Sequence, residues 1–499
     1  MNRRDFVKKG AISASLPFWL QSCDHFKWGE SFPVHVHSDR STGHLIMESG
    51  QWPNATKIKT ETVIVGGGLA GLAAAGVIRE KDFLLFELSD RTGGTSAASD
   101  FEGISFCQGA HYDLAYPDYY GEEVLRFMEE LQIIEYEPWK KMWSFIDQQH
   151  IIPYYRRQQC YENGVIRGDV IPEGYSKDSF YKILSDYQGE MKLPTRLISE
   201  DYRHLNNISF YQFMSEKMEV DDAFKRQLSY HMLDDYGGTV DQVSALAGIH
   251  YFMCRPYYTE AVDLFSPPMG NNYFAEKILT TIPSQKIKTN HLVKHIVKTS
   301  QGFEIDVLDV INKKVIPVAC EKVIYAGQKH ALKYIFPEEA DLFTNNYAPW
   351  MVINFITNYS PGTYGFWQNE YLGERDDFLG FIDSSVQSRE SLKGKRVYTA
   401  YYCLQPENRK HLTTIPSNKD RIANDALETI EEVLNKRIEV NVAFINVMGH
   451  AMAIPQPGYL FNDANTRSKN GMVYAGVDNG RLPLLYEALD SGIMAARTF

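Results

Sequence analysis

The segment "ETVIVGGGLAGLAAAGVIREKDFLLFE" constrains the fold of this chain more than any other part of its 499 residues. It begins with "TVIVG", a β-branched run typical of a buried strand. "LAGLAAAGVIRE" follows and is rich in alanine and leucine, which favour a helix, and "DFLLFE" predicts a second strand. The order strand, glycine-rich turn, helix and strand predicts a Rossmann-like α/β unit with a parallel sheet.

Three glycines in this turn form the pattern G-x-G-x-x-G, and each has a separate physical task. Gly66 makes the tight turn, Gly68 lets a pyrophosphate approach the backbone, and Gly71 lets the helix pack against the sheet. The helix begins near Leu69 and Ala70, where unpaired amide groups carry a partial positive charge that favours phosphate. The pattern therefore predicts a dinucleotide site.

An acidic residue completes this fingerprint. Glu87 ends the second strand, about 20 residues after Gly66. Its carboxylate is placed to accept hydrogen bonds from a ribose 2′-hydroxyl and would repel a 2′-phosphate. A glycine-rich turn without a ligand is the alternative, and both the flanking strands and the acid argue against it.

The residues after Glu87 indicate which dinucleotide binds. "ELSDRTGGTSAA" continues with Arg91, Gly93 and Gly94. This arrangement resembles the flavin amine oxidase superfamily, in which an arginine and paired glycines follow the acid and line the FAD pyrophosphate. The resemblance implies that FAD is the cofactor. Thr95 stands where the family often has a further arginine, so one phosphate contact is weaker here.

Further motifs extend the resemblance over nearly the whole chain. In "FCQGAHYDL", Gly109, Ala110 and His111 are similar to the family's turn beside the isoalloxazine ring. Val293, in "HLVKHI", resembles the residue whose backbone meets the adenine. The resemblance therefore implies contacts with both ends of FAD.

The C-terminal segment "NGMVYAGVDNGRLPLLYEALDSGIMAA" is similar to the segment that closes the flavin site in this family. The resemblance implies that Gly476 and Asp478 approach the ribityl chain. It also implies that the following helix, which begins near Leu485, faces the pyrimidine carbonyls of the flavin.

The resemblance implies an α/β fold: a Rossmann-like FAD-binding domain of the glutathione-reductase type with a discontinuous α+β substrate domain. We expect the FAD-binding domain at residues 60–125, 270–335 and 440–499, and the substrate domain at 126–269 and 336–439. In the first insertion, "GEEVLRFMEELQII" has apolar residues at helical spacing. In the second, "WMVINFI" and "RVYTAYYCL" predict an antiparallel sheet, either below the active site or in the core.

Enzymes of this superfamily remove a hydride from a C–N or C–C bond with the flavin, while the protein orients the substrate. Many of its amine oxidases carry a lysine at the start of the floor strand, where this chain has Trp350. Many also frame the amine with two aromatic side chains, at positions where this chain has Leu484 and Ala451. These departures leave open both oxygen as the electron acceptor and a small amine as the substrate.

Three functions for this chain follow from the resemblance. The first is amine-oxidase-like oxidation of a C–N bond in a small organic molecule. The second is desaturase-like or protoporphyrinogen-oxidase-like oxidation of a C–C bond or a ring. In the third, a flavoprotein passes electrons to a quinone or another acceptor and has no amine substrate of its own. Because the flavin carries the chemistry, the only candidates for the catalytic cavity are Trp350, His450 and Leu484.

His450 raises a separate question about the cofactor. Some members of the superfamily attach FAD covalently through a side chain near this position. A neutral imidazole is nucleophilic enough for such a bond. A buried histidine that is hydrogen-bonded to the backbone is the simpler interpretation, so we expect non-covalent FAD with His450 lining the cavity.

The N-terminal segment "MNRRDFVKKGAISASLPFWLQSC" has the pattern of an export signal. Arg3 and Arg4 fit the twin-arginine subtype, which carries folded proteins, often with a cofactor bound. We expect a signal peptide at residues 1–22, a tether or lead-in at 23–59, and a location in the periplasm. Cys23 resembles a lipidated cysteine, which would anchor the protein to a membrane. An ordinary basic N-terminus and a chance cysteine are the alternatives.

The composition excludes some partners. The formal net charge is -12, so we expect no binding to nucleic acid and membrane contact only through a lipid on Cys23. A hydrophobic fraction of 44% and a charged fraction of 23% are typical of soluble globular proteins. The remaining cysteines are far apart and include no C-x-x-C pair, which argues against a structural metal or a disulfide framework.

Overall fold

The computed structural model describes residues 31–50, 52–109, 120–255, 262–342, 345–358, 365–374, 377–388, 394–462 and 471–498. The predicted signal peptide at 1–22, Cys23, Ala110 and His111 lie outside these residues. Pro33–Phe499 forms one unit by its internal contacts.

The strands of the described residues share the two larger sheets and three small hairpins or pairs. In chain order they are β1 (Val34–His37), β2 (Ile58–Val65), β3 (Phe83–Phe86), β4 (Ala98–Phe101), β5 (Ile104–Cys107), β6 (Ile134–Glu137), β7 (Met142–Phe145), β8 (Ile151–Ile152), β9 (Gln158–Glu162), β10 (Val165–Arg167), β11 (Leu264–Phe265), β12 (Ile287–Lys288), β13 (His291–Thr299), β14 (Gly302–Asp309), β15 (Lys314–Tyr325), β16 (Tyr347–Asn358), β17 (Gln368–Tyr371), β18 (Phe378–Asp383), β19 (Lys395–Cys403), β20 (Val440–Ala453) and β21 (Val473–Tyr474).

The α-helices pack around these sheets. In chain order they are α1 (Arg40–His44), α2 (Leu69–Val77), α3 (Glu122–Glu130), α4 (Tyr175–Leu184), α5 (Phe210–Ser215), α6 (Asp222–Tyr236), α7 (Ala245–Met253), α8 (Asn272–Leu279), α9 (Leu332–Ile335), α10 (Ile415–Leu434) and α11 (Leu485–Arg497).

A seven-stranded sheet carries the Rossmann-like unit predicted from the glycine motif. Its order is β12-β3-β2-β15-β14-β13, and β21 pairs with the end of β15. The strands β12, β3, β2, β15 and β21 run parallel, whereas β13, β14 and β15 form an antiparallel meander. α2 connects β2 to β3, as the order of elements in the sequence predicts. The predicted α/β fold is therefore confirmed.

An eight-stranded sheet forms the second part of the structure, in the order β1-β20-β16-β19-β18-β17-β9-β10. Its central strands β20, β16, β19, β18 and β17 are antiparallel. The segments "WMVINFI" and "RVYTAYYCL" lie in β16 and β19, which pair directly with each other. The antiparallel sheet predicted in the second insertion is therefore present.

Two segments join this sheet although the sequence analysis placed them elsewhere. β1 lies inside the lead-in predicted at 23–59, and it pairs with β20 in the register Val34↔Ala443 to His37↔Asn446. Its sequence "VHVH" alternates as a strand does, but four residues do not stand out from the polar residues around them. β20 lies inside the range 440–499 predicted for the FAD-binding domain. Local sequence does not specify which of two sheets a strand joins, because pairing depends on distant residues.

The C-terminal helix α11 packs closely against α2. A Cβ atom on Gly492 would lie 2.1 Å from the carbonyl oxygen of Ala70, so the glycine allows the two helices to touch. Asp490 on α11 is buried and accepts hydrogen bonds from Arg196 at 2.8 and 2.9 Å and from Arg481 at 2.7 Å. This ion-pair network ties α11 to the first insertion and holds it beside the glycine-rich turn.

The described residues can also be searched for membrane-spanning helices, clusters of metal ligands and disulfides. None of the helices in the described residues is both long and apolar enough to cross a bilayer. In the same residues, His, Cys, Asp and Glu side chains form no group of three or more that is suited to a metal ion. The described cysteines are buried and carry free thiols; they are Cys107, Cys160, Cys254, Cys320 and Cys403.

Candidate functional site

One cavity of about 1200 Å³ is lined by residues of both large sheets. Four parallel strands end at it, because Gly66 follows β2, Glu87 follows β3, Ala326 follows β15 and Gly476 lies just beyond β21. Open α/β sheets bind ligands at the carboxyl ends of their strands. Pockets for single small ligands are typically about 300–1,000 Å³, so this cavity has room for a dinucleotide and a substrate together.

Each of the three positions in the fingerprint is occupied by glycine for a different structural reason. Gly66 has φ +99°, in the left-handed region that favours glycine. A Cβ on Gly71 would lie 2.0 Å from the carbonyl oxygen of Gly66, so Gly71 lets α2 pack on the turn. Gly68 has φ -69° and ψ 176°, which any residue adopts, and its Cβ would meet no atom of the described residues within 4 Å. A ligand close to the backbone is what explains a glycine at position 68.

A second glycine turn faces the first. The amide of Gly93 donates to the carbonyl oxygen of Gly67 at 2.8 Å, and Gly93 has φ +114°. A Cβ on Gly94 would lie 3.3 Å from the Cα of Gly68, so the two turns approach at their backbones. Thr95 follows and lines the cavity. Backbone amides of both turns and of the first turn of α2 therefore surround one space, which suits a pyrophosphate.

Arg91 lines the same space, but much of its charge is already compensated. Its guanidinium donates to the carbonyl oxygen of Ala98 at 3.1 Å and to the hydroxyl of Ser99 at 2.7 Å. It also pairs with Asp90 at 2.8 Å. The hydrogen bond from Arg91 holds the pKa of Asp90 below its ordinary value, so Asp90 is ionised beside it at neutral pH. Arg91 therefore contributes less to a phosphate than a free arginine would.

Backbone amides hold both carboxylate oxygens of Glu87. The amide of Gly67 donates to Oε2 at 2.6 Å, and the amide of Ser89 donates to Oε1 at 2.9 Å. Burial raises the pKa of Glu87, and these two hydrogen bonds oppose the rise. Each oxygen keeps a lone pair for a ribose hydroxyl. The amide of His291 donates to the Glu87 carbonyl at 2.8 Å, so β13 runs beside Glu87 and brings Val293 to the cavity.

Asp478 is a second buried carboxyl group at the cavity. Its Oδ2 atom accepts hydrogen bonds from the amide of Lys329 at 2.9 Å and from the hydroxyl of Tyr347 at 2.6 Å. Burial raises the pKa of Asp478, and both bonds oppose the rise. Gly476, with φ +111°, precedes it in the turn. The turn after β21 is thus fixed to β16 by a side chain that also faces the cavity.

Apolar and aromatic side chains form one wall of the cavity. Trp350 on β16 is buried, and its ring lies nearly parallel to that of Tyr401, at 12° and 6.2 Å between centroids. The Nε1 atom of Trp350 has no hydrogen-bond partner among the described residues. Leu484 precedes α11 and Leu485 begins it, and both are buried at the cavity. A flat ring system could therefore contact this wall without meeting a charged group.

His450 lines the cavity and stacks on His330, with 3.9 Å between ring centroids and 16° between planes. Tyr347 packs edge-on against both rings. Burial, and also the charge of Arg409, lowers the pKa of His330 to about 4 and that of His450 to about 3. Both rings are therefore neutral at pH 7. The backbone carbonyl of His450 accepts a hydrogen bond from Gln328.

A group of polar residues at the cavity was not predicted from the sequence. We name it the acidic arm; it consists of Asp234 on α6, Gln368 and Glu370 on β17, and Tyr401 on β19. Gln368 Nε2 donates to Asp234 Oδ2 at 3.1 Å and to the Tyr401 hydroxyl at 3.2 Å. These residues belong to three separate elements, so no local motif in the sequence marks them.

Glu370 is the most deeply buried carboxyl group of the acidic arm, with 3% of its surface exposed. Its Oε2 atom has no hydrogen-bond partner within the described part of the chain. Burial, and then the negative charges of Asp169 and Asp234, raises the pKa of Glu370 well above its ordinary value, while Arg157 opposes the rise. Burial and the two negative charges therefore favour the protonated form of this carboxyl group, and a nearby positive charge favours the ionised form.

The cavity fits the FAD that the resemblance implies. A Cβ on Gly68 would meet no atom of the described residues within 4 Å, and the backbone conformation at this position does not require glycine. This open space beside the glycine turns indicates that a bound molecule belongs there, with its phosphate at the backbone amides. Trp350, His330 and Glu370 line the same cavity farther along.

Most of the predicted site residues meet at this cavity. Its lining includes Gly66, Gly68, Leu69, Ala70, Glu87, Arg91, Gly93, Gly94, Thr95, Gly109, Val293, Trp350, His450, Gly476, Asp478, Leu484 and Leu485. Gly71 packs instead against the backbone of Gly66. Ala110 and His111 lie outside the described residues, so their predicted place beside the flavin stays a prediction.

Comparisons with known proteins agree with this geometry. The family model of the NAD(P)-binding Rossmann-like domain matches residues 64–131, which contain both glycine turns and Glu87. No curated protein sequence matches the chain.

Solved structures match over a much larger part of the chain. A double mutant of putrescine oxidase has a TM-score of 0.62 at 12% identity and covers 89% of this chain and 99% of its own. Cyclohexylamine oxidase from Brevibacterium oxydans has a TM-score of 0.60 at 13% identity, over 88% and 98%. A putative protoporphyrinogen oxidase from Exiguobacterium has a TM-score of 0.57 at 13% identity, over 88% and 98%. The chain therefore shares the fold of these solved structures over most of its length.

Two alanine variants separate the ligand role of Gly68 from the packing role of Gly71. We expect Gly68→Ala to change the unfolding free energy of the cofactor-free protein by less than about 1 kcal/mol, because its backbone conformation suits alanine. We expect Gly71→Ala to lower that free energy by about 1–3 kcal/mol, because the methyl group overlaps the Gly66 carbonyl. Urea denaturation measures both. A Gly68→Ala protein as unstable as Gly71→Ala would contradict this division of roles.

Glu370→Gln tests whether Glu370 is protonated in the folded protein. Unfolded Glu370 ionises near pH 4.5, whereas the folded residue keeps its proton to higher pH. Wild-type stability therefore falls as the pH rises through this window, and glutamine removes that loss. We expect similar melting temperatures for the two cofactor-free proteins at pH 4 and a higher one for the variant at pH 8. A difference in melting temperature that does not depend on pH would show that Glu370 has the same pKa in the folded and unfolded protein, which would contradict the raised pKa.

Proposed function

We propose that this chain, which has the fold of the flavin amine oxidases, is an FAD-dependent oxidoreductase that oxidises a small organic amine at a C–N bond. The acidic arm is the observation on which we base the proposal of an amine substrate. It places two carboxyl groups, Asp234 and Glu370, on the cavity that also contains the nucleotide-binding turns. Buried carboxylates are stabilised by a cation, and a protonated amine is the cation that a small organic substrate offers.

The residues that would hold FAD follow from the geometry. Glu87 would bind the adenosine ribose, the two glycine turns the pyrophosphate, and Asp478 the ribityl chain. Trp350 and Leu484 would contact the isoalloxazine ring, and bound FAD supplies the hydride acceptor. We propose non-covalent FAD, because the neutral His450 ring is already stacked on another side chain. Flavin should then remain in the supernatant after acid precipitation of the protein.

The side chains of this chain would orient the substrate. The ammonium group of one end would sit at Asp234 and Glu370, where its charge favours ionisation of Glu370. The aromatic faces of Trp350 and Tyr401 would attract the same charge and exclude water from the reacting carbon. The acidic arm therefore binds and positions the substrate, and it takes no part in the transfer of the hydride.

Trp350 also favours a second candidate function. Many amine oxidases of the superfamily have a lysine where this chain has Trp350, so oxidation of a C–C bond or a ring is the alternative. We propose for either reaction that electrons leave to a quinone or a similar acceptor.

Flavin reduction without oxygen distinguishes the candidates. We expect aliphatic mono- or diamines to bleach the flavin, and Asp234→Asn to raise the amine concentration for half-bleaching about tenfold, as the loss of one charge-assisted hydrogen bond predicts. Asp241→Asn is the matched control, because Asp241 pairs with Lys225 on the surface and lies away from the cavity lining.

Other outcomes of this experiment identify the alternatives. Bleaching by conjugated ring compounds but not by amines would support the second candidate. A flavin that no organic donor reduces, but that a quinone reoxidises, would indicate an electron-transfer protein and contradict the amine proposal.

We also propose that the chain is exported by the twin-arginine route and located in the periplasm, with Cys23 as a candidate lipid anchor. A dinucleotide enclosed by two sheets is best inserted before export, which this route for folded proteins permits. Changing both Arg3 and Arg4 to lysine should leave precursor in the cytoplasm, as measured by cell fractionation. Normal export of the double variant would exclude this route.

A further inference from the structure

The segment Val34–Met47, which we name the strap, lies against the cofactor cavity although it precedes the first Rossmann strand. Most residues from Val36 to Met47 line the cavity, together with the glycine turns. The strap consists of β1, α1 and a 3₁₀ turn at Leu45–Met47. The sequence analysis placed this segment in a tether, so its contact with the site is a property of the fold that the sequence did not reveal.

The strap is attached at both of its ends. At its start, β1 pairs with β20 over four residues, and Lys419 donates to the Val34 carbonyl at 2.7 Å. Just after its end, Lys294 on β13 donates to the Glu48 carbonyl at 2.7 Å. Ile46 packs against the apolar core of the seven-stranded sheet. The strap therefore joins the two large sheets across the cavity.

The middle of the strap is attached much less firmly. None of the residues of α1 is buried. The side chain that fixes this region is Asp39, whose Oδ2 atom accepts a hydrogen bond from the Ser89 hydroxyl at 2.7 Å. Ser89 in turn donates its amide to Glu87, the residue placed for the ribose. Because α1 has no buried residue, the hydrogen bond between Asp39 and Ser89 is a side-chain contact that holds the middle of the strap beside Glu87.

The strap reaches both halves of the predicted dinucleotide site. The charge of Asp39 acts on Glu87, at the adenosine side. His44 lines the same cavity as His450, whose backbone carbonyl accepts a hydrogen bond from Gln328 in the turn after β15. One short segment thus spans the cavity from the ribose carboxylate to the stacked histidines.

We propose that the strap forms the outer wall of the cofactor site and controls the release of FAD. This inference rests on the proposed function, because it takes FAD as the molecule in the cavity. FAD leaves only when the middle of the strap moves away, so the Asp39–Ser89 hydrogen bond slows dissociation. Such retention suits a protein that carries its flavin to a compartment where none is supplied.

Dissociation of FAD is the direct test. FAD-loaded protein is diluted into buffer with an apoflavoprotein that captures free FAD, and the rise of its flavin signal gives the rate. We expect Asp39→Ala to release FAD about two- to tenfold faster than wild type, the effect of losing one hydrogen bond. Asp39→Asn keeps an acceptor for Ser89 and should release FAD at nearly the wild-type rate.

A second control removes a contact of the same N-terminal region away from the cavity. Lys57 pairs with Glu304 at 2.8 Å on the surface and does not line the cavity, so Lys57→Ala should leave the rate unchanged. Equal release rates for wild type and Asp39→Ala would overturn the role of the strap while FAD binding stands. A protein that binds no FAD at all would overturn the proposed function, and the inference with it.

Hydrogen exchange of the wild-type protein tests the strap without any substitution. We expect the amides of residues 38–47 to exchange more slowly in FAD-loaded than in FAD-free protein, because bound FAD holds α1 in place. Amides of α4, none of whose residues lines the cavity or contacts the strap, serve as the internal reference. Equal exchange at residues 38–47 in both forms would contradict the proposal.

Discussion

The strands β2, β3, β15 and β21 all end at the same edge of the seven-stranded sheet, and the rest of the structure is arranged around that edge. Tyr347 on β16 of the second sheet binds Asp478 at this edge, and two side-chain amides of the same sheet bind the segment before Gly109. Asn354 on β16 donates to the Cys107 carbonyl at 2.9 Å, and Asn446 on β20 donates to the Gln108 carbonyl at 2.7 Å. These bonds hold the segment before Gly109 against the second sheet, and residues of both sheets line the cavity.

The two halves of the cavity differ in how they recognise a molecule. The nucleotide half uses backbone amides, two glycine turns and a carboxylate held by amides, all of which are fixed before a ligand binds. In the acidic arm, burial raises the pKa of Glu370 and so favours its neutral form, which a nearby positive charge opposes. The first half therefore suits a permanently bound cofactor, and the second suits a substrate that enters and leaves.

The nucleotide half could be predicted from the sequence because its signals are local. Gly66, Gly68 and Glu87 lie within one strand–helix–strand unit, and each has a physical reason that a short sequence expresses. The resemblance implied that Trp350 lies at the cavity, in the position of the family's lysine, and Trp350 lines the cavity in the structure. The β-branched runs that became β16 and β19 carry their strand character in their own residues.

The acidic arm and the strap could not be predicted, because both depend on contacts between distant parts of the chain. Asp234 and Glu370 meet only after α6 packs against β17, and neither residue belongs to a motif. The four residues of β1 form a strand because they pair with β20, in a register that begins at Val34↔Ala443. The same dependence on partners explains why the sequence does not reveal that β20 pairs with β16 and β1.

The identity of the small molecule in the cavity tests this account most directly. Protein purified under native conditions is denatured with acid, and the released compounds are identified and counted by mass spectrometry. The account predicts one FAD per chain, freed without cleavage of a covalent bond. Release of NAD, NADP or FMN in place of FAD, or a cavity that yields no nucleotide from a folded protein, would contradict it.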